Sequence, residues 1–105
     1  MSSSKESIYI VPGQEPYLAP GVRGYTVEQN GELYVPLIIA DRPGSGDVGR
    51  YLDSLPRDRT VKFPNVLSER LEQMLLRRGF HHGVEYSEEW GIVPILVRHP
   101  EKEKE

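Results

Sequence analysis

The dipeptide Asn30-Gly31 constrains the fold of this chain more than any other feature of its sequence. It follows a β-prone run at residues 24–28 and precedes another at residues 32–35, and both runs contain Tyr and Val. Asn and Gly tolerate the positive φ angles of a type I′ turn, which joins two antiparallel strands through two residues. The sequence therefore predicts a β-hairpin around this dipeptide.

The second arm of the hairpin continues into an aliphatic run at residues 35–40 that is interrupted by Pro36. Four successive aliphatic residues without polar alternation are typical of a strand that is buried on both faces. Because proline has no N–H to donate to a neighbouring strand, we expect a bulge or an unpaired segment at Pro36. The run therefore predicts a buried strand with a local defect.

A glycine-containing loop and a short helix follow this strand. Residues 41–46 contain two glycines and a proline, and Asp47 is a candidate N-cap for the helix. Apolar residues then recur at helical spacing between Val48 and Leu55, and Pro56 ends the pattern. We therefore expect one short helix directly after the loop.

A β-prone run at residues 60–63 completes a strand–helix–strand unit with the run at residues 35–40. The connection is long enough for a crossover, so we expect the two strands to be parallel neighbours. A second helix comes next, with Asn65 or Ser68 as its cap and Gly79 in the left-handed position at its end.

The remaining segments complete a single domain. Three further strands are predicted, at residues 8–11, 84–86 and 92–98. Residues 12–22 are rich in proline and glycine and are predicted to form a loop. We therefore expect an α+β fold with a mixed, mostly antiparallel sheet, one parallel β–α–β pair and two helices. This domain is expected to span residues 7–99, between polar tails at residues 1–6 and 100–105.

Composition argues against several classes of protein. The 105 residues carry a net charge of -3, which gives no support for a nucleic-acid-binding face. The chain has no cysteine, so disulfides and thiolate metal sites are excluded. The longest apolar run, at residues 35–40, is far too short to span a membrane, and no signal peptide is visible. We therefore expect a cytoplasmic protein that binds neither nucleic acid nor membrane.

Two local motifs carry a resemblance to a known family. The segment Arg42-Pro-Gly-Ser-Gly46 leads from the aliphatic strand into the first helix, and Arg77-Arg-Gly-Phe80 ends the second helix. With the order of elements, these segments resemble the acyl-CoA-binding half of the GNAT-type N-acetyltransferases, over roughly residues 22–98. In that family the loop has the form Arg/Gln-x-x-Gly-x-Gly/Ala, and the two glycines here come one residue early.

The resemblance implies that the domain binds acetyl-CoA or another acyl-CoA. Backbone N–H groups of residues 44–49 would hold the pyrophosphate, and Arg42 or Arg50 would add charge. The defect at Pro36 would expose backbone to pantetheine, and N–H groups at residues 37–39 would polarise the thioester carbonyl. The implied cofactor-binding residues are Leu37, Ile38, Ile39, Arg42, Gly44, Gly46, Val48, Gly49 and Arg50.

Three features depart from the family pattern. Leu75 occupies the position of the tyrosine that usually protonates the leaving thiolate, so no catalytic residue is assigned. The chain ahead of the hairpin is short and proline-rich, without the helices that usually build the acceptor side. Asp47 also places negative charge where a phosphate would approach.

The sequence therefore leaves two functions open. The first is a small N-acetyltransferase that acts on an unidentified amine by direct attack on the thioester. The second is a non-catalytic GNAT-like protein, such as a viral accessory factor or an assembly or regulatory factor, that acts through protein–protein contacts. Its candidate contact residues are Tyr9, Tyr17, Tyr25 and Tyr34.

Three other features have simpler interpretations. His81 and His82 with Glu85 suggest a metal site, but adjacent histidines at a helix end more often contact terminal carbonyls, so no metal is predicted. Residues 85–89 offer candidate acids and bases, for which a solvated acidic loop is the preferred interpretation. Trp90 is expected to cover one edge of the core.

Overall fold

A computed structural model describes residues 13–100, which form a six-stranded mixed sheet and two helices. The elements in chain order are β1 (Tyr17–Ala19), β2 (Val22–Gln29), β3 (Glu32–Ala40), α1 (Asp47–Asp53), β4 (Val61–Pro64), α2 (Glu69–Leu76), β5 (His81–Ser87) and β6 (Gly91–Arg98). The order of strands in the sheet is β1-β2-β3-β4-β6-β5. The predicted α+β class is confirmed, whereas the strand predicted at residues 8–11 lies outside the described residues.

The hairpin predicted from Asn30 and Gly31 is confirmed. Their φ angles are 56° and 77°, as a type I′ turn requires. On either side of the turn β2 and β3 pair as antiparallel strands, starting with Gln29 opposite Glu32.

Strand β1 lies within the segment that was predicted to be a loop, so that prediction was wrong. Its three residues lie between Pro16 and Pro20, and Tyr17 and Ala19 pair with β2. The prolines indicate a loop locally, but the long edge of β2 provides a partner that pairs with the residues between them.

Strands β3 and β4 are parallel neighbours, as the strand–helix–strand pattern predicted. Leu33 pairs with Val61 and Tyr34 with Lys62, and no further pair joins the two strands within the described residues. The strands therefore part after Tyr34, while β3 continues to Ala40 beside β2.

A β-bulge begins directly after that point. The register between β2 and β3 shifts between Tyr25 and Val27, so that Val35 and Pro36 together oppose Thr26. The local defect predicted from the proline is confirmed. A bulge bends its strand, and here it does so where β3 leaves β4.

The two helices begin in different ways. Helix α1 has Gly46 as its N-cap, with φ of 90° and no side-chain cap bond, so the prediction of Asp47 as N-cap was wrong. Helix α2 is capped by Ser68, whose hydroxyl accepts a hydrogen bond from the N–H of Leu71 at 3.1 Å. Asn65, the other predicted cap, therefore does not cap α2.

The end of α2 agrees with the prediction. Gly79 is left-handed, with φ of 92°, and the N–H of Phe80 donates to the carbonyl of Leu75 at 3.1 Å. The Phe80 ring then meets that of Phe63 edge to face, at a centroid distance of 5.4 Å. This contact ties the end of α2 to strand β4.

Both helices pack on one face of the sheet, which we call the helix face. Leu52 of α1 and Leu75 of α2 share one core with Val35, Val61 and Phe63, and all five are fully buried. Burying side chains of this size stabilises the fold by roughly 2 kcal/mol each.

We call the opposite side of the sheet the second face, and neither described helix lies on it. The prediction that residues 35–40 are buried on both faces was wrong, because residues 37–40 are only half-buried. Trp90 also contradicts its prediction, since it lies in the β5–β6 turn and is 78 % exposed.

Candidate ligand cleft

A cleft of about 240 Å³ opens on the helix face where β3 parts from β4. Its walls are the carboxyl end of β3, the loop that leads into α1, and the first turns of α2. Ile38, Leu71 and Met74 give it an apolar interior, and Arg42 and Arg70 are exposed beside it. An apolar cleft with a cationic mouth suits a ligand that has an uncharged arm and an anionic end.

The loop between β3 and α1 depends on its two glycines. Gly44 and Gly46 have φ angles of 89° and 90°, which other residues adopt only with strain. The N–H of Ser45 donates to the carbonyl of Arg42 at 3.1 Å, which closes the turn between them. Without side chains at the glycines, backbone faces the cleft directly.

Arg70 is a cleft residue that the sequence analysis missed. Its Nη2 lies 3.7 Å from the position that a Cβ on Gly44 would occupy, so the guanidinium lies over the glycine loop. Among the described residues it forms no ion pair or hydrogen bond. The sequence contained a signal for it. A cation in the first turn of a helix is unfavourable with the helix dipole, so an arginine there indicates a role other than stabilising the helix.

Most of the predicted cofactor-binding residues come together at the cleft. Those that line it are Ile38, Arg42, Gly44, Gly46, Val48 and Gly49. Leu37 and Ile39 do not, because alternate residues of a strand point to opposite sides and these two lie on the second face. Arg50 does not either: it is ion-paired with Asp47 and contributes to a separate depression beside Tyr51.

The negative charge of Asp47 is compensated within the loop. The side chain is buried, accepts a hydrogen bond from the Ser45 hydroxyl at 2.9 Å, and forms an ion pair with Arg50. Asp47 still lines the cleft, but Arg50 balances the negative charge that was expected in the path of a phosphate.

The backbone of Ile38 faces the gap between β3 and β4. Gly24 lies opposite Ile38, and its N–H donates in the other direction, to the carbonyl of Pro16 at 2.9 Å. Gly24 and Ile38 therefore form a non-hydrogen-bonded pair of the antiparallel ladder. In such a pair both residues turn their N–H and C=O groups away from each other. The N–H and C=O of Ile38, and by alternation those of Ala40, thus point into the gap.

A polar cluster lies on the second face at the point where the strands part. The hydroxyl of Tyr34 donates to Glu85 at 2.9 Å, while the ammonium of Lys62 contacts Glu32 at 2.8 Å and also Glu85. Glu85 is therefore an ion-paired residue of β5, and its interpretation as part of a solvated loop was wrong.

These contacts determine the charge states in the cluster. Burial disfavours the charged forms of Lys62 and Glu85, but the hydrogen bonds of Lys62 with Glu32 and Glu85, and that of Glu85 with Tyr34, outweigh it. They hold the pKa of Lys62 above its ordinary value and the pKa of Glu85 below it. Burial and the bond to Glu85 raise the pKa of Tyr34.

Other candidate residues have structural roles. Leu75 lies fully within the core and does not line the cleft. His82 contacts Glu72 at 3.0 Å, and no group of three or more potential metal ligands occurs among residues 13–100. Tyr17 is 63 % exposed and donates to Asp41 at 2.7 Å.

Comparisons with known proteins give no match, whether with family models, curated proteins or solved structures. None of the helices among residues 13–100 has the length and apolar content that a bilayer crossing requires.

Proposed function

We propose that this chain is a GNAT-like domain that binds an acyl-CoA in the cleft. The observation that carries the proposal is the parting of two parallel strands after Tyr34 and Lys62, beside an apolar cleft. Strands within a sheet normally pair along their whole length, because unpaired backbone groups need partners. A gap between two interior strands is therefore a place where a ligand can supply them.

The arm of the ligand would bind along β3. Pantetheine is an extended chain with two amides, and the N–H and C=O groups of Ile38 and Ala40 face the gap. An extended ligand can bond to such an edge as an added strand would. The side chains of Ile38, Leu71 and Met74 would contact its methylene groups.

The phosphates would bind at the other end, by the glycine loop. Backbone at Gly44 and Gly46 is accessible there, and the guanidinium groups of Arg42 and Arg70 lie at the same end of the cleft. Arginine binds phosphate through paired, charge-assisted hydrogen bonds. This arrangement would set the direction of the ligand, with its thioester towards the point where the strands part.

Acyl transfer from this position would need few protein groups. A neutral amine would attack the thioester carbon, and the N–H of Ile38 would stabilise the oxyanion that forms. The nitrogen of the intermediate would lose a proton to water, and the thiolate would leave and take a proton from water, since Leu75 offers none. We therefore expect tight binding to be the stronger property and transfer to an amine to be slow.

Calorimetric titration with acetyl-CoA tests the proposal. We expect binding of acetyl-CoA and desulfo-CoA, and weaker binding of adenosine 3′,5′-bisphosphate and of pantetheine, which each fill one end of the cleft. In amide NMR spectra, Ile38 and Ala40 should shift with the three ligands that carry the pantetheine arm and respond little to the bisphosphate. Absence of heat with acetyl-CoA at high micromolar concentration would refute the proposal.

Variants locate the site. Arg70→Ala should weaken acetyl-CoA binding roughly tenfold, because one charged hydrogen-bonding group is lost. Arg77→Ala removes an exposed arginine at the other end of α2, which does not line the cleft, and should leave affinity unchanged. Equal losses from both variants would indicate general attraction of anions instead of a defined site.

A separate observation supports a second function, which is protein binding through the second face. Tyr25, Leu37 and Ile39 are half-exposed there, and neither described helix covers them. Tyrosine next to aliphatic side chains is typical of protein interfaces. If acetyl-CoA does not bind, while Tyr25→Ser abolishes binding to an identified protein partner, this second function replaces the first.

A further inference from the structure

Strand β5 is an edge strand without the usual protection. It ends the strand order, and no described strand pairs with its outer side. It is seven residues long, contains no lysine or proline, and pairs with β6 without a register shift, and its one carboxylate, Glu85, is already ion-paired with Lys62. Natural edges are normally short, bulged, charged or interrupted by proline, because an open edge pairs with other chains.

The opposite edge of the same sheet shows this protection. Strand β1 has three residues, lies between Pro16 and Pro20, and has a register shift in its pairing with β2. Among residues 13–100, one edge is therefore closed to further pairing and the other is open. This difference indicates that the β5 edge has a partner.

An apolar patch adjoins the open edge. Val84 and Tyr86 of β5 are 68 % and 76 % exposed, and Ile92 of β6, which pairs with Tyr86, is 71 % exposed. All three lie on the helix face, beyond the part of the sheet that α2 covers. A continuous apolar patch of this kind marks an interaction surface.

We propose that the partner is a second copy of this chain, paired antiparallel through β5 about a two-fold axis at Val84. This register places Val84 opposite Val84 and pairs the full length of both strands, which makes one continuous twelve-stranded sheet from two six-stranded ones. Tyr86 lies opposite His82, at the edge that α2 covers. Gly83 lies opposite Glu85 and has no side chain to obstruct it.

The distribution of charge favours a second copy over an unrelated strand. Arg77, His81 and His82 precede or begin β5, with Glu72 of α2 beside His82. Glu88 and Glu89 follow the other end of the strand. Antiparallel pairing about Val84 brings the end of each copy that carries Arg77 to the end of the other that carries Glu88 and Glu89, so the charges are complementary.

Sedimentation equilibrium over a range of protein concentrations tests this proposal. We expect the full chain to dimerise, and Val84→Lys to raise the dimer dissociation constant roughly tenfold or more, because two lysines meet at the axis. Val27→Lys is the matched control: it places a lysine on an exposed valine of β2, away from β5, and should leave the dimer intact. Both variants should have unchanged circular dichroism spectra.

The two-fold register has two sharper tests. Val84→Lys and Val84→Glu should each dimerise more weakly than the wild type and should form a heterodimer when mixed, because opposite charges then meet at the axis. Since the chain has no cysteine, Val84→Cys should form a disulfide-linked dimer under mild oxidation. Tyr86→Cys should not, because the two copies of that residue lie on opposite sides of the axis.

The proposal is overturned if the wild-type chain is monomeric at all concentrations, which would leave the β5 edge to a strand of another protein. It is equally overturned if Val84→Lys and Val27→Lys dimerise as well as the wild type. These results do not depend on acyl-CoA, so the proposal of a dimer and the proposal of acyl-CoA binding can be refuted separately.

Discussion

The carboxylate of Asp47 lies directly against the α-carbon of Gly21. A Cβ at Gly21 would overlap with this carboxylate, and its distance from the Cγ of Asp47 would be 2.8 Å. Gly21 is in the turn between β1 and β2, and its carbonyl accepts from the N–H of Asp41 at 2.9 Å. The turn at one edge of the sheet therefore fixes the start of α1, and with it one wall of the cleft.

Gly21→Ala should destabilise the protein by about 2–4 kcal/mol, because the new methyl group must displace a buried carboxylate and adopt φ of 78°. Gly31→Ala is the matched control, since Gly31 has φ of 77° and no atom within 4 Å of its Cβ position. It should cost only the backbone strain, about 1–2 kcal/mol. Urea unfolding measures both, and equal losses would show that the contact with Asp47 has no energetic role.

Lys62→Met should lower the free energy of unfolding by roughly 1–3 kcal/mol at neutral pH, because it leaves Glu32 and Glu85 close together without a cation. Methionine has a similar length, so the loss reports charge more than packing. Arg59→Met removes an exposed ion pair with Glu28 and should cost at most about 0.5 kcal/mol. Similar losses in the two variants would mean that the cluster is energetically an ordinary surface contact.

Acid unfolding should depend on Glu85. Its pKa is below the ordinary value, so its contribution to stability is complete above the unfolded-state pKa of about 4.3 and disappears as the pH falls through the lower folded-state pKa. Glu85→Gln should therefore be less stable than the wild type at neutral pH and converge with it in acid. Glu28→Gln, on an exposed pair, should follow the wild-type curve throughout, and a constant gap for Glu85→Gln would contradict the assignment.

Leu75→Tyr introduces the tyrosine that the family resemblance leads one to expect, but it should not produce acetyl transfer. Leu75 is fully buried, so the larger ring and its hydroxyl should destabilise the fold by about 2–4 kcal/mol. Leu75→Phe has the ring without the hydroxyl and should cost about 1 kcal/mol less. A gain in acetyl transfer with Leu75→Tyr and not with Leu75→Phe would show that the position reaches the thioester after all.

Features encoded by adjacent residues were predictable from the sequence. Asn30-Gly31 specifies its turn through the φ angles that both residues tolerate, and Pro36 specifies a defect because it lacks an N–H. Gly79 ends α2 for a similar local reason. Each of these depends on backbone geometry at one or two positions, which the residue type largely determines.

Features that depend on distant partners were not predictable in this way. Strand β1 exists because β2 offers an edge, and Glu85 is ion-paired because Lys62 lies within reach, two strands away. Arg70 is separated by twenty-six residues from Gly44 and meets it only through the packing of α2 beside the loop. Single-sequence patterns describe neighbours along the chain, and these contacts join residues that are neighbours only in space.

The bulge at Val35 and Pro36 adds one residue to β3 relative to β2, so the shape of this sheet depends on the number of residues in the strand as well as on their types. Removal of Pro36 would leave Ile38 and Ala40 on their present side while it allowed β3 to run straight beside β4. A single-codon deletion could thus close the opening without altering any side chain that lines it. A single-codon insertion is correspondingly enough to create such an opening in a regular sheet, so a lineage can gain or lose a binding site in one step that leaves its amino-acid composition almost unchanged.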